Sequence, residues 1–358
     1  MERSSLNNAK RIVVKLGTAV LTDERKQPDV ARMGQLVRQI AQLRQAGKEI
    51  IIVTSGAVGA GMGVLAFEKR PESVAEQQAC AAIGQSRLMA TYEKLFAEYQ
   101  LHVAQVLLTH ADLQHEERHR NVRNTLTTLL RRGVIPIINE NDAVSTTELK
   151  FGDNDKLSAL VAALLPADLL IILTSVEGVI ENFGRDNARR LSVVTEIDSH
   201  IEDLAGGTTS ATAVGGMKSK IEAAKVVVRT GIPLVIAAGE KATVLNEIMR
   251  GDDVGTLFLS KPEKLRGRKR WIAFFHHPRG TVFVDAGAKR ALTENGKSLL
   301  PPGVTRCEGE FEAGDIVSIC DEEGIEFARG MSGYSSKDIC AHKIAGGEIV
   351  HRDDLVIL

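Results

Sequence analysis

The sequence predicts an α/β protein, with a mainly parallel sheet and a smaller β-rich domain after it. Three observations carry this. Short runs of Val, Ile and Leu recur through residues 1–260 without polar alternation, as in strands covered on both faces. Between them lie longer stretches whose apolar residues repeat at helical spacing. Strand–helix–strand repeats of this kind make right-handed βαβ units with helices on both sides, a three-layer αβα sandwich. Past Gly255-Thr256-Leu257-Phe258 the pattern gives way to strand-sized pieces set between Gly and Asp/Glu turns.

Taken in order, Arg11–Leu16 reads as a buried strand, and Val30, Met33, Leu36, Val37, Ile40 and Leu43 then mark a helix face. Ile50–Val53 is the second strand, followed by a glycine-rich turn and a long helix around Ala75–Tyr99. His102–Leu108, a helix near Val122–Arg131 and Val134–Ile138 continue the alternation, with a strand-like piece at Val144–Phe151. Leu157–Leu165 reads as helix, Leu169–Leu173 as strand, Lys218–Arg229 as helix and Pro233–Ala237 as strand. A basic linker, residues 261–277, is expected to join this domain (1–260) to a second one (278–358). There, Thr281–Val284, Asp315–Ile319, Glu326–Ala328, Glu348–Val350 and Leu355–Ile357 are the strand candidates.

The bulk numbers narrow the function classes. A chain of 358 residues accommodates two domains, and 44% apolar with 25% charged residues is an ordinary globular composition. The formal net charge of -1 supplies no field to draw the protein to nucleic acid or membrane. No apolar run approaches membrane-spanning length, and Met1 to Lys10 lacks the apolar core of a secretion signal. A cytoplasmic protein is expected. Cys80, Cys307, Cys320 and Cys340 form no C-x-x-C pair, which fits reduced thiols rather than a zinc ribbon or disulfide framework.

The chemistry gathers at strand ends. Asn139-Glu140-Asn141-Asp142 closes the apolar run Val134–Ile138, and Gly152-Asp153-Asn154-Asp155 follows shortly after. Turn formation explains any one of these residues. So many together deliver carboxylates and amides to the sheet edge, where open α/β proteins bind ligands, and point to a small charged one. Lys15-Leu16-Gly17-Thr18 ends the first strand. A lysine and a closely approaching backbone there can reach a phosphate oxygen, or merely cap the strand. Thr54-Ser55-Gly56-Ala57-Val58-Gly59-Ala60-Gly61 ends the second strand and matches neither a Walker A loop nor a dinucleotide fingerprint. Gly215-Gly216-Met217-Lys218-Ser219-Lys220 opens a helix, where the dipole disfavours cations. A phosphate partner would account for them, with Lys220 the stronger candidate and Lys218 able to point to solvent.

In their order along the chain, these five segments resemble the glutamate 5-kinase family of the amino-acid kinase superfamily, as does Gln85-Ser86-Arg87-Leu88. Val284-Asp285-Ala286-Gly287-Ala288, Ser298-Leu299-Leu300-Pro301 and Gly303 are similar to a PUA domain, so the resemblance spans nearly the whole chain. It implies an amino-acid kinase fold plus a small β-barrel-like PUA domain. The implied activity is ATP-dependent phosphorylation of the γ-carboxylate of L-glutamate to L-glutamyl 5-phosphate, opening proline biosynthesis, with ATP and Mg2+ as cofactors. Carried over by position, Lys15 and Lys220 flank the phosphoryl group in flight. Ser55, Asp142 and Asn154, with Asn139 and Asp153, hold glutamate. Gly17, Thr174, Ser175 and the loop of Gly215, Gly216, Met217, Lys218, Ser219 and Lys220 hold ATP. Asp153 and Asp155 could orient the lysines or bind magnesium through water. A γ-carboxylate is already ionised at pH 7, so this nucleophile needs alignment and charge neutralisation rather than a general base.

The acyl phosphate is labile, so hand-over to a glutamyl-phosphate reductase is expected, and family precedent implies a homo-oligomer inhibited by proline. One segment departs from the family. After Leu169–Leu173 it usually shows Thr-Asp and then Gly-Leu-Tyr, where this chain has Thr174-Ser175-Val176-Glu177-Gly178-Val179-Ile180. The change bears on the adenine and ribose side.

Three other readings compete with this one. His115-Glu116-Glu117-Arg118-His119 is a literal H-E-x-x-H, but no third zinc ligand follows at a familiar spacing, and an exposed charged helix face explains it. RNA binding through the PUA-like end is not expected, since Pro278–Leu358 holds nine Lys/Arg against fourteen Asp/Glu. A related kinase acting on another carboxylate or on a phosphate is the third.

Overall fold

A computed structural model describes the chain except for residues 1, 24–26, 146–153, 207–215, 261–266, 277, 342–343 and 345. The chain divides into two compact units, Met1–Lys264 and Leu265–Leu358.

The first unit is built on an eight-stranded sheet. In spatial order its strands are Val103–Leu108, Ile135–Glu140, Glu49–Thr54, Arg11–Leu16, Leu169–Thr174, Leu234–Ala238, Thr256–Phe258 and Val193–Val194. Every pairing is parallel except that of Thr256–Phe258 with Leu234–Ala238. The central strands are β-branched and leucine runs buried on both faces, as parallel sheets require, while the edge strands Val103–Leu108 and Val193–Val194 are partly exposed. Alternate residues on one face (Ile12, Val14, Leu16, Ile50, Ile52) pack with Met33, Leu36 and Val37 of helix Val30–Gln45 and with Leu88, Tyr92 and Phe96 of helix Val74–Ala97. The opposite face is covered by helix Asn154–Leu164, itself buried along its whole length, and that helix packs on Met217–Arg229. Each fully buried Leu or Ile here contributes about 1.5–3 kcal/mol.

Because the central strands are parallel, the residues at their C-terminal ends share one edge of the sheet. Two elements reach further toward that edge than periodicity predicts. The strand Ile135–Glu140 runs two residues beyond Ile138, so Asn139 and Glu140 belong to it and are buried. The helix expected from Leu157 begins at Asn154 and carries Asn154 and Asp155 in its first turn. The two polar clusters are therefore element termini, which orient side chains more rigidly than a loop. Of the strand-like piece at Val144–Phe151, Val144 lies in an exposed turn and residues 146–151 are outside the described residues.

Helices Ala57–Met62 and Val74–Ala97 meet backbone to backbone. A Cβ on Gly61 would lie 1.8 Å from the carbonyl oxygen of Cys80, and one on Gly84 would lie 1.8 Å from that of Ala57. Gly84→Ala is expected to destabilise by about 3 kcal/mol, the upper end of overpacking costs, because backbone must move rather than a side chain. A urea midpoint unchanged from the parent would contradict this approach.

The second unit has a five-stranded sheet in the order Val304–Glu308, Gly280–Val284, Ile316–Cys320, Glu326–Met331, Leu355–Ile357. Three of its strands were expected from the sequence within two or three residues, and Leu355–Ile357 at its stated bounds. Glu348–Val350 differs, contributing only an isolated bridge from Val350 to Leu299. The stretch expected to be a basic linker contains helix Gly267–Phe274, whose Ile272 and Ala273 pack with Ile316 and Val356. Its apolar end outweighs its basic start. Trp271 in this helix meets the His276 ring edge-on at 4.0 Å between centroids.

Candidate functional site

Three buried charges converge at the sheet edge. Lys15 Nζ, at the end of the first strand, lies 2.7 Å from Asp155 Oδ1. Lys220 Nζ, in the first turn of Met217–Arg229, lies 3.0 Å from Asp155 Oδ2. Ser219 Oγ donates to the same Oδ2 at 2.9 Å. Lys15, Lys220 and Asp155 are 2%, 4% and 0% exposed, so their charges need compensation of the kind these contacts supply. The dipole of helix Asn154–Leu164 favours the carboxylate in its first turn, while that of Met217–Arg229 disfavours Lys220. One carboxylate thus gathers two ammonium groups into a small positive centre suited to an anion such as a phosphoryl group.

A second group, made of amides and hydroxyls, sits beside it. Asn154 Nδ2 donates to Thr54 O at 2.5 Å and Asn139 Oδ1 at 2.8 Å, with Ser55 Oγ at 3.3 Å. Asn139 Nδ2 donates to Gln85 Oε1 at 2.8 Å. Thr54 Oγ1 and the Tyr92 hydroxyl are 2.9 Å apart. Burial pushes the Tyr92 phenol well above its usual range, although the Thr54 hydrogen bond acts the other way. Of these, Ser55, Asn139 and Asn154 line a cleft of ≈ 110 Å³, together with Gly56, Arg70, Glu140 and Asp142 among others. A lining that holds the carboxylates of Glu140 and Asp142 together with the Arg70 cation can seat a small zwitterion.

The other residues singled out in the sequence are placed as follows. Gly17 N donates to Leu173 O at 3.1 Å, and a Cβ there would come 3.6 Å from Lys15 Nζ. Thr174 is half-buried at its strand end, where its carbonyl accepts from Gly239 N at 2.8 Å, and Ser175 is exposed. Gly216 is the N-cap of Met217–Arg229, Met217 is half-buried and Lys218 is exposed. Asp153 and Gly215 lie outside the described residues. In the H-E-x-x-H stretch, His115 precedes helix Glu116–Arg131, and His119 Nδ1 lies 3.1 Å from Leu113 O. Burial, foremost, lowers the pKa of His119. Among the described residues, no group of three or more His, Cys, Asp or Glu is placed to hold a metal ion.

Sequence reasoning took Thr54, Gln85 and Glu140 only as parts of motifs, and missed Tyr92 and Arg70 as members of this region. Gln85 and Tyr92 are seven residues apart and so share one face of their helix. Polar groups at that spacing on an otherwise apolar face were the signal available.

Comparison with known proteins identifies the family. The amino acid kinase family model matches residues 10–238, and the PUA domain model matches residues 280–350. A glutamate 5-kinase of Moorella thermoacetica is 47% identical over 371 residues, covering 99% of this chain and 98% of its own. One of Desulfotalea psychrophila is 46% identical, covering 100% of this chain and 99% of its own. Among solved structures, a carbamate kinase from Giardia lamblia bound to AMP-PNP superposes with a TM-score of 0.51 at 18% identity, covering 71% of this chain and 100% of that one. That likeness concerns the fold alone. The full-length matches and the family model together place the chain in the amino acid kinase family, among its glutamate 5-kinases.

Proposed function

We propose that the chain transfers the γ-phosphoryl group of ATP to the γ-carboxylate of L-glutamate, making L-glutamyl 5-phosphate, the first step of proline biosynthesis. The observation that carries the reading is the pair of buried lysines held on Asp155 at 2.7 and 3.0 Å. Phosphoryl transfer is catalysed by alignment and by neutralising charge on the transferring group, and two fixed cations, one at a strand end and one at a helix start, supply both. The acceptor is named by the full-length relatives, which carry the name glutamate 5-kinase.

In this reading Lys15 and Lys220 face the phosphoryl oxygens from opposite sides, and Asp155 orients both. Ser55, Asn139, Asn154 and Asp142 hold glutamate, with Asp142 taking its ammonium group, and Asp153 belongs to the same set. Gly17, Thr174, Ser175 and the Gly215–Lys220 loop take the nucleotide. Magnesium neutralises phosphate oxygens when bound and is most often held by the phosphates with one or two carboxylates; this is the arrangement proposed here. The labile product favours direct hand-over to a glutamyl-phosphate reductase, and a cytoplasmic homo-oligomer is the proposed setting. No helix among the described residues is long and apolar enough to cross a membrane.

The test is ATP turnover with L-glutamate, N-acetyl-L-glutamate, L-aspartate and UMP, with hydroxylamine present to trap an acyl phosphate. Glutamate-dependent hydroxamate is expected. Turnover with another acceptor alone would overturn the reading. Asp142→Asn is expected to raise KM for L-glutamate about tenfold, since a hydrogen bond to a charged group contributes about 1.5–3 kcal/mol. An unchanged KM would remove Asp142 from the ammonium site.

A further inference from the structure

The amides beside the cleft form a relay whose polarity is fixed from one end. The backbone carbonyl of Thr54 can only accept, so the Asn154 atom 2.5 Å from it is Nδ2. The Asn139 atom facing that Nδ2 must then be Oδ1, which turns Asn139 Nδ2 toward Gln85. The Gln85 atom receiving it must be Oε1. Gln85 Nε2 is consequently driven into a place where it is buried without a hydrogen-bond partner. Gln85 is 8% exposed, so solvent does not relieve that donor. A buried orphan donor costs free energy that an apolar side chain of the same shape would avoid. Its presence indicates that the acceptor on the other arm of the amide is needed.

We propose that Gln85 is a positioning residue that sets the polarity of the acceptor site, on the reading of the site given above. Its Oε1 pins Asn139 with Oδ1 toward Asn154. Both hydrogens of Asn154 Nδ2 are then taken by Thr54 O and Asn139 Oδ1, and Asn154 turns its own Oδ1 to the cleft. A carbonyl oxygen there, beside the carboxylates of Glu140 and Asp142, accepts from an N–H donor and repels a second acceptor. The relay thereby selects a substrate that carries an ammonium group over the same dicarboxylate without one. Removing the Gln85 acceptor frees the Asn139 amide to rotate, and Asn154 loses the partner that holds its orientation.

The experiment compares the parent with Gln85→Met and Gln85→Glu, using L-glutamate and glutarate as acceptors and following the unfolding midpoint. Gln85→Met, similar in shape but without the acceptor, is expected to raise KM for L-glutamate about tenfold, the value of one well-placed hydrogen bond. The preference for L-glutamate over glutarate should fall by the same factor, with KM for ATP within about twofold of the parent. Gln85→Glu keeps an acceptor toward Asn139 and removes the orphan donor, so it should restore KM and preference to near parental values. Parental behaviour in Gln85→Met would overturn the proposal. So would Gln85→Glu performing no better, or both KM values rising together with a lowered midpoint, which would mark a structural role. Should Gln85→Met not fold, Gln85→Glu decides alone, since a lost preference there overturns it. A parent without glutamate turnover would overturn the proposed function and this inference together, whereas a parent with turnover and unaffected variants would overturn only the inference.

Discussion

Asp155→Asn is expected to lower kcat about 10²–10³-fold, the range seen when one preorganised electrostatic group is lost from a transition-state site. It should also destabilise the fold. Lys15 and Lys220 are buried, and the carboxylate lies 2.7 Å from one ammonium and 3.0 Å from the other. Breaking a buried ion pair by removing one partner costs about 3–5 kcal/mol, because the remaining charges stay desolvated. For a unit of this size that lowers the unfolding midpoint on the order of 10 °C. Steady-state kinetics and thermal unfolding on the same preparation check both effects. Parental values in both would show that other groups hold the lysines.

Lys220→Met should separate activity from stability. Asp155 keeps Lys15 at 2.7 Å and Ser219 at 2.9 Å, so the buried charges still balance and the midpoint should move little. The phosphoryl oxygens lose one of two cations, and kcat is expected to fall about 10³-fold or more, as when a cationic group is withdrawn from phosphoryl transfer. Lys220→Arg should not rescue it. The planar guanidinium is larger than an ammonium, and the position is 4% exposed. If kcat holds and KM for ATP rises instead, Lys220 binds the nucleotide in its ground state rather than stabilising the transfer.

The two-residue strand Val193–Val194 was too short to show as a pattern, whereas the central strands were legible because each is a largely apolar run of the kind a parallel sheet covers on both faces. Their ends were not. Asn139 and Glu140 look like loop residues by composition, yet the strand carries them because their neighbours in the sheet, Leu107 and Leu108, extend equally far. The site residues Lys15, Asp155 and Lys220 could be nominated from motifs, but the bridge between them depends on two helix termini meeting one strand end across 205 residues of sequence. The Gln85–Asn139–Asn154 relay was illegible for the same reason: each amide is unremarkable alone, and its meaning lies in which atom faces which. The helix at 267–274 was hidden by its own lysines and arginines, since charge density outweighed the short apolar run that anchors it.

Trp271 is the only tryptophan in the chain, and it belongs to the second unit. The kinase unit has tyrosines, Tyr92 and Tyr99, but no indole. Tryptophan emission therefore follows unfolding of the second unit alone, while far-ultraviolet circular dichroism follows both. Coincident curves mean that the two units melt as one cooperative body. Separated curves give, by difference, the stability of the kinase unit in the full-length protein, without a label. A tryptophan introduced at the cleft would be the sole indole of the kinase unit, so its response to ligand reads out as the difference from the Trp271 signal of the parent.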